Sequence, residues 1–391
     1  MTAIDQLRTD ITALAPDIAA WRHTLHSCPE IGFEERKTAD FVADLLTSFG
    51  IEVDRGLAGT GLVGTLKAGS SSRSIGLRAE LDALPITEET GLAYASKNAG
   101  LMHACGHDGH MAMLLGAAAY LARTRRFDGT VRFVFQPAEE NLAGGDVMVR
   151  DGLFERFPVD AIYAMHNLPT MPVGEFAVQD GPTMASADMW ELTLRGRGGH
   201  AAHPHMARDP GIVVGAILQG VQSIVSRSVA PIDAAVVSIT KIRMGSTLNV
   251  IPEEALLGGT LRAHKPEVRD RIEERLRAIV AGLCAAHGLE HEFRFLTRYP
   301  PTINHHDQAV RALMAAEALV GADKVTRDLP PSMGAEDFGF MLNVNPGCYI
   351  RIGNGPNCAP LHTPDYDFAD PALIHGASYW GVLVEQELPQ A

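Results

Sequence analysis

The strongest constraint on the fold is a change of rhythm partway along the chain. Up to about residue 185, helical and strand-like stretches alternate. An amphipathic stretch from Ile11 to Leu25 and another around Thr38 to Phe49 precede apolar runs at Gly61 to Leu66 and Ser74 to Leu77. A helical stretch from His110 to Arg123 then leads to strand-like runs at Thr130 to Phe135 and Ala161 to Met165, the latter ending at His166. Apolar residues recurring every three or four positions mark half-buried helices, and short continuous apolar runs mark buried strands, so this part reads as an α/β layer. Turn residues accumulate at Gln179 to Ser186, and the pattern changes there. The chain next reads strand (Glu191 to Leu194), helix (Pro210 to Ser228), strand (Ala235 to Ile242), strand (Ala255 to Leu261), helix (Glu267 to His287) and strand (His291 to Leu296). That βαββαβ order is the ferredoxin-like arrangement. It stops at Pro300-Pro301, after which a helix, a short strand at Lys324 to Thr326, a helix from Glu336, a strand at Cys348 to Ile352 and a final helix resume the first rhythm. The expectation is an α/β domain built from residues 1–185 and 299–391, with a second domain, 186–298, inserted into it. A chain of 391 residues is long enough for two cores.

Charge narrows the partners. A formal net charge of -14 argues against nucleic acid and anionic membrane surfaces, which need a basic face. An anionic small substrate would need a local cationic anchor. Met1 to Asp10 carries acidic residues and no apolar signal core, and no later run approaches the roughly 18 apolar residues of a membrane span. A cytoplasmic location is expected. The five cysteines, Cys28, Cys105, Cys284, Cys348 and Cys358, are odd in number and scattered, unlike a disulfide framework. Four read as small buried hydrophobes. Cys105 differs, because it stands two residues from a histidine in a glycine-containing turn.

That turn, His103-Ala104-Cys105-Gly106-His107-Asp108-Gly109-His110, is followed by Gln136-Pro137-Ala138-Glu139-Glu140. Together they hold thiolate, imidazole and carboxylate, the side chains that bind divalent transition metals, and a second glutamate beside a ligand glutamate is the base that metal-assisted hydrolysis needs. Both segments fall where strands give way to loops, the edge of an open α/β sheet at which sites are built. His166 and His362 are further candidates. Thiolate and imidazole favour Zn, Co or Ni, while the carboxylate also tolerates Mn.

More motifs follow in order: His26-x-x-Pro29-Glu30, Arg78-Ala79-Glu80-Leu81-Asp82-Ala83-Leu84-Pro85, Gly199-His200-Ala201-Ala202, Asn249-Val250-Ile251-Pro252, Gly334-Ala335-Glu336-Asp337-Phe338 and Leu361-His362-Thr363-Pro364. The whole set resembles the aminoacylase and carboxypeptidase family of dinuclear-metal amidohydrolases, in its hippurate hydrolase and indoleacetyl-amino-acid hydrolase branch. The resemblance implies a mixed-sheet, exopeptidase-like catalytic domain with an inserted ferredoxin-like lid and dimerisation domain. It implies two divalent metal ions per subunit, with Cys105 as the ligand that bridges them and His107, Glu140, His166 and His362 completing the shells. Glu139 becomes the general base and His200 the donor that stabilises the tetrahedral oxyanion. Asn249 and Arg262 bind the substrate's carboxylate, which answers the charge problem; the alternative for Arg262 is a surface salt bridge. Asp82 and Asp108 are expected to orient ligand histidines, with turn formation as the alternative, and Glu336 to stand near the site. Glu80 stands where much of this branch has aspartate and is not counted as a ligand.

By the same resemblance the lid domains pair into a homodimer and place His200 and Asn249 in the partner's site. The chain departs from the pattern after Glu139-Glu140, where many relatives have a glycine run and this one reads Asn141-Leu142-Ala143-Gly144-Gly145-Asp146. The expected activity is hydrolysis of N-acyl amino acids, hippurate-like or N-acetyl. A metallo-carboxypeptidase or dipeptidase on the same scaffold and a catalytically silent binding protein are the competing readings.

Overall fold

A computed structural model describes residues 2–390. It divides into two compact units, one made of Met1–Gly181, Ile303–Pro330 and Asp337–Ala391, the other of Pro182–Thr302 and Pro331–Glu336. The short return 331–336 to the second unit has no periodicity that would mark it in the sequence.

Among the described residues the first unit is built on an eight-stranded mixed sheet. Its centre is parallel: Gly129–Gln136, Ser74–Glu80, Ala161–Leu168 and Gly347–Gly353 lie side by side and run the same way. The outer strands Gly61–Ala68 and Phe176–Val178 join antiparallel. Central parallel strands are covered on both faces and read as continuous apolar runs, and Gly347–Gly353 is buried at every position. The helix His107–Thr124 is buried around nearly its whole circumference, so its apolar composition shows little of the one-sided periodicity that marks a surface helix. It begins three residues before the expected start, which puts His107 in its first turn. The amphipathic stretch near the start forms two helices, Ala3–Thr12 and Ala15–His26. Pro16 has no backbone N–H to continue the first and is suited to open the second.

The second unit has the strand order Ala235–Met244, Glu254–Ala263, Ala187–Arg195, Glu290–Tyr299, all neighbours antiparallel. With helices Pro210–Ser228 and Pro266–His287 this is the ferredoxin-like βαββαβ arrangement. Val213, Ile217, Val221 and Ile224 from one helix meet Ile272, Leu276 and Val280 from the other over Leu192, Leu194 and Leu257 of the sheet. Each such side chain, fully buried, contributes about 1.5–3 kcal/mol. Cys284 is buried in this core and Cys348 in that of the first unit, and all five cysteines are free.

Candidate metal centre

The carboxyl ends of the central parallel strands carry the candidate ligands. Gln136 closes one strand, and the chain turns through Pro137 into the short helix Glu139–Leu142. His166 lies within Ala161–Leu168, near its end. Cys105 precedes the helix His107–Thr124, whose amino-terminal end favours negative charge on the thiol. The helix is capped by Gly106 at φ 91°, where a Cβ would lie 2.6 Å from both Asn167 Oδ1 and Tyr366 Oη. Only glycine fits that approach. His362 joins the same place because its backbone N–H donates to the carbonyl of Ala104 at 2.8 Å.

The ligand atoms of Cys105, His107 and His166 lie within 4.8 Å of one another, as do those of Cys105, Glu140 and His362, and those of His107, Glu139 and Glu140. Cys105 is common to two of these groups. The five expected ligands thus fall into overlapping groups, two of which share Cys105, and Glu139 stands with His107 and Glu140, although the chain brings them from four separate segments.

Hydrogen bonds set the histidine tautomers. His107 Nδ1 donates to the carbonyl oxygen of Asp82 at 2.8 Å, and His166 Nδ1 to that of Asn167 at 2.8 Å. A carbonyl only accepts, so the neutral form of each ring carries its lone pair on Nε2. Among the described residues neither the buried His107 Nε2 nor Glu140 Oε1 has a hydrogen-bond partner, although His362 Nε2 lies 3.0 Å from that oxygen. Orphaned buried polar atoms are rare in native proteins and call for an ion or water. Burial, reinforced by the Glu140 carboxylate, pushes the Cys105 thiol up to about 12, so a thiolate here calls for cations beside it. The donor set, the orphaned atoms and the shared thiol fit a pair of divalent metal ions.

His110 and Glu80 are otherwise engaged. His110 Nδ1 lies 2.8 Å from Glu80 Oε2, and its Nε2 accepts from the Asn167 N–H at 3.0 Å. The other Glu80 oxygen accepts from Arg78.

Asp82 and Asp108 part company. Asp82 supports His107 through its carbonyl, and its carboxylate accepts the Glu140 N–H at 2.9 Å. Asp108 points away from the ligands. Its carboxylate lies 2.8 Å from His26 Nδ1 and 3.5 Å from Arg22 Nε. It orients those two side chains and not a ligand histidine, a correction to the sequence reading. Adjacency to His107 in sequence was misleading, because neighbouring helical residues point about 100° apart.

The remaining expected residues belong to the second unit. Gly199–His200 pairs with Val250–Ile251, and the Ala201 N–H donates to the Asn249 carbonyl at 3.0 Å, so His200 and Asn249 are neighbours on an exposed edge. Arg262 lies near the far end of Glu254–Ala263 and donates to the Leu261 carbonyl. Glu336 is buried, its carbonyl accepting from the Thr302 hydroxyl at 3.1 Å. The side chain of Asn141 lies outside the described residues.

Sequence reading missed Glu35 and the role of Asp337. Glu35 is buried and accepts the Ala138 N–H at 2.8 Å and the Thr60 hydroxyl at 2.6 Å. An isolated buried carboxylate has no periodic signal to announce it.

Residues 76–386 match the peptidase family M20/M25/M40. The chain belongs to that family. Among its relatives, hippurate hydrolase of Campylobacter jejuni is 40% identical over 374 residues, covering 96% of this chain and 97% of that one. N-acetylcysteine deacetylase of Bacillus subtilis is 38% identical, covering 93% and 94%. The crystal structure of the Bacillus subtilis YXEP protein, a dinuclear metal binding peptidase of the M20 family, superimposes with a TM-score of 0.84 at 34% identity, covering 95% and 98%. Membership in the M20/M25/M40 family, together with the ligand types around Cys105, makes this chain a metal-binding amidohydrolase. No helix among the described residues is long and apolar enough to cross a membrane.

Proposed function

We propose that the chain hydrolyses the amide bond of N-acyl amino acids, releasing a carboxylic acid and a free amino acid. The observation that carries this reading is the gathering of Cys105, His107, Glu140, His166 and His362 in overlapping groups that share Cys105, with Glu139 beside His107 and Glu140. Two relatives named for N-acyl amino acid substrates, at 40% and 38% identity, support the substrate class.

Cys105, His107, Glu140, His166 and His362 hold two divalent ions, Zn or Mn, with Co or Ni as alternatives. Bound there, such ions lower the pKa of water and polarise a carbonyl oxygen. Glu139 takes the proton of the attacking water on a carboxylate oxygen and delivers it to the leaving nitrogen, a role that typically contributes about 10² to 10⁴ in rate. His200 donates to the developing oxyanion. Asn249 and Arg262 bind the carboxylate of the amino acid, where a guanidinium can form paired hydrogen bonds.

The second unit supports a homodimer with shared sites. His200 is paired beyond the Glu254 end of the strand that carries Arg262 near its other end. Eight residues of extended chain from Glu254 to Arg262 span about 27 Å, too far for both to hold one small substrate. One copy would supply Arg262 and the other His200 and Asn249. Among the described residues the edge strand Ala235–Met244 has no partner on its outer side, and Ile242 and Met244 on it, like Leu248 and Val250 that follow it in the chain, are exposed. A two-fold pairing of two such edges would cover it. The expected cytoplasmic location belongs to the same reading.

The test is release of free amino acid from N-benzoyl amino acids, N-acetyl amino acids and dipeptides, with zinc, manganese and cobalt supplied in turn. Cleavage confined to dipeptides would favour a peptidase. Bound metal without turnover on any of them would favour a binding protein.

A further inference from the structure

The base is carried on a turn that the backbone does not favour. Ala138 and Ala143, at either end of the helix Glu139–Leu142, both have φ of 56°, a left-handed conformation that side chains with a Cβ rarely adopt. Something outside the turn must hold it, and buried carboxylates do so. Glu35 takes the N–H of Ala138 at 2.8 Å and Asp82 that of Glu140 at 2.9 Å.

Asp337 does more. Its Oδ2 accepts the N–H of Gly145 at 2.7 Å, where the turn ends, and Gln136 Nε2, where the turn begins, lies 2.8 Å from both of its oxygens. Arg78 Nη2 donates to Oδ1 at 2.9 Å, while Arg78 Nε donates to Gln136 Oε1 at 2.9 Å. The two ends of the turn are thus tied to one carboxylate. The backbone N–H of Asp337 in turn points to Glu139 Oε1, at 3.4 Å. Arg78, Gln136 and Asp337 are all buried, so these bonds are shielded from competing water.

We propose that Asp337 is a positioning residue for the reaction: with Gln136 and Arg78 it clamps the two ends of the Gln136–Gly145 turn and directs the carboxylate of Glu139. The clamp rests on the reading of Glu139 as the base. It acts on the aim of that carboxylate and not on substrate affinity, so its loss should appear in kcat.

The experiment compares Asp337→Asn, Gln136→Met and Glu139→Gln with the wild-type holoenzyme, using the N-acyl amino acid cleaved fastest in the panel above. Asp337→Asn places an amide NH₂ among donors, and Gln136→Met removes both amide links while keeping the Arg78–Asp337 pair. Kinetics are read with metal content and amide hydrogen exchange of residues 138–145. Misaiming a catalytic group should lower kcat by roughly 10- to 100-fold in Asp337→Asn and roughly three- to tenfold in Gln136→Met. KM and the metal content should stay near wild type, and exchange in the turn should be faster in both. Adding Ala143→Gly to Asp337→Asn should recover part of kcat, because glycine takes the left-handed conformation unaided. Wild-type kcat in either folded variant, or a kcat loss that tracks lost metal, overturns the clamp. Should Asp337→Asn fail to fold, Gln136→Met with its exchange data decides alone. Full turnover by Glu139→Gln would instead refute the base assignment, and the exchange data would still report whether Asp337 holds the turn.

Discussion

His362 Nε2 lies 3.0 Å from Glu140 Oε1, yet that oxygen has no hydrogen bond of acceptable geometry. The two side chains come from distant segments and meet beside Cys105, the three ligand atoms lying within 4.8 Å of one another. That arrangement suits two ligands of one cation. His362→Ala should therefore reduce the metal content from two ions per chain towards one and abolish most turnover, as measured by elemental analysis of protein dialysed without added metal. Two tightly held ions in that variant would remove His362 from the ligand set.

Asp82 grips the site twice, through its carbonyl to His107 Nδ1 and through its carboxylate to the Glu140 N–H. Asp82→Ala removes the second grip and leaves the first. Loss of a group that orients ligands typically weakens metal affinity about 10- to 100-fold. Competition with a chelator should show a weakening in that range, and unchanged affinity would reduce Asp82 to a turn-forming residue.

Glu35 gives the fold a pH dependence. Burial pushes its carboxyl up to about 6, against the hydrogen bonds from Thr60 and Ala138 that favour the charged form. An acid with a raised pKa in the folded state contributes stability that is fully present below its unfolded value near 4.5 and lost as pH rises through 6. The gap corresponds to about 2 kcal/mol. Glu35→Gln keeps an acceptor for Ala138 and offers a donor to Thr60 without the charge. Its melting temperature should exceed wild type by roughly 2 to 4 °C at pH 8, with the difference shrinking towards pH 5. A lower melting temperature at pH 8 would mean that the carboxylate is needed in its charged form.

Shared active sites predict complementation. His200→Ala and Glu139→Gln should each be inactive as homodimers. In a mixed dimer, one site combines an intact metal centre from the first variant with His200 from the second. Co-expression in equal amounts should restore about a quarter of wild-type activity, since half of the dimers are mixed and each has one working site. No recovery, with mixed dimers demonstrated, would place His200 in its own subunit's site or outside the site altogether.

Much of this was written locally. The helix Pro210–Ser228 has the bounds its apolar spacing indicates, because the period of 3.6 puts Val213, Ile217, Val221 and Ile224 on one face. The βαββαβ order follows from the same kind of signal. Ligand chemistry was legible as well: a thiol two residues from a histidine and a glutamate pair after a strand need no tertiary information to suggest a metal.

The order of elements and the side chains able to bind metal can be read along the chain, since periodicity and donor chemistry are local properties. The fold settled which of those side chains meet. It turned Asp108 towards His26 and away from the ligands, locked Glu80 between Arg78 and His110, set Arg262 far along its strand from His200, and brought Asp337 back to the turn that carries Glu139. Those pairings depend on the direction of a side chain and on contacts between distant segments, and neither is written in the spacing of residues along the chain.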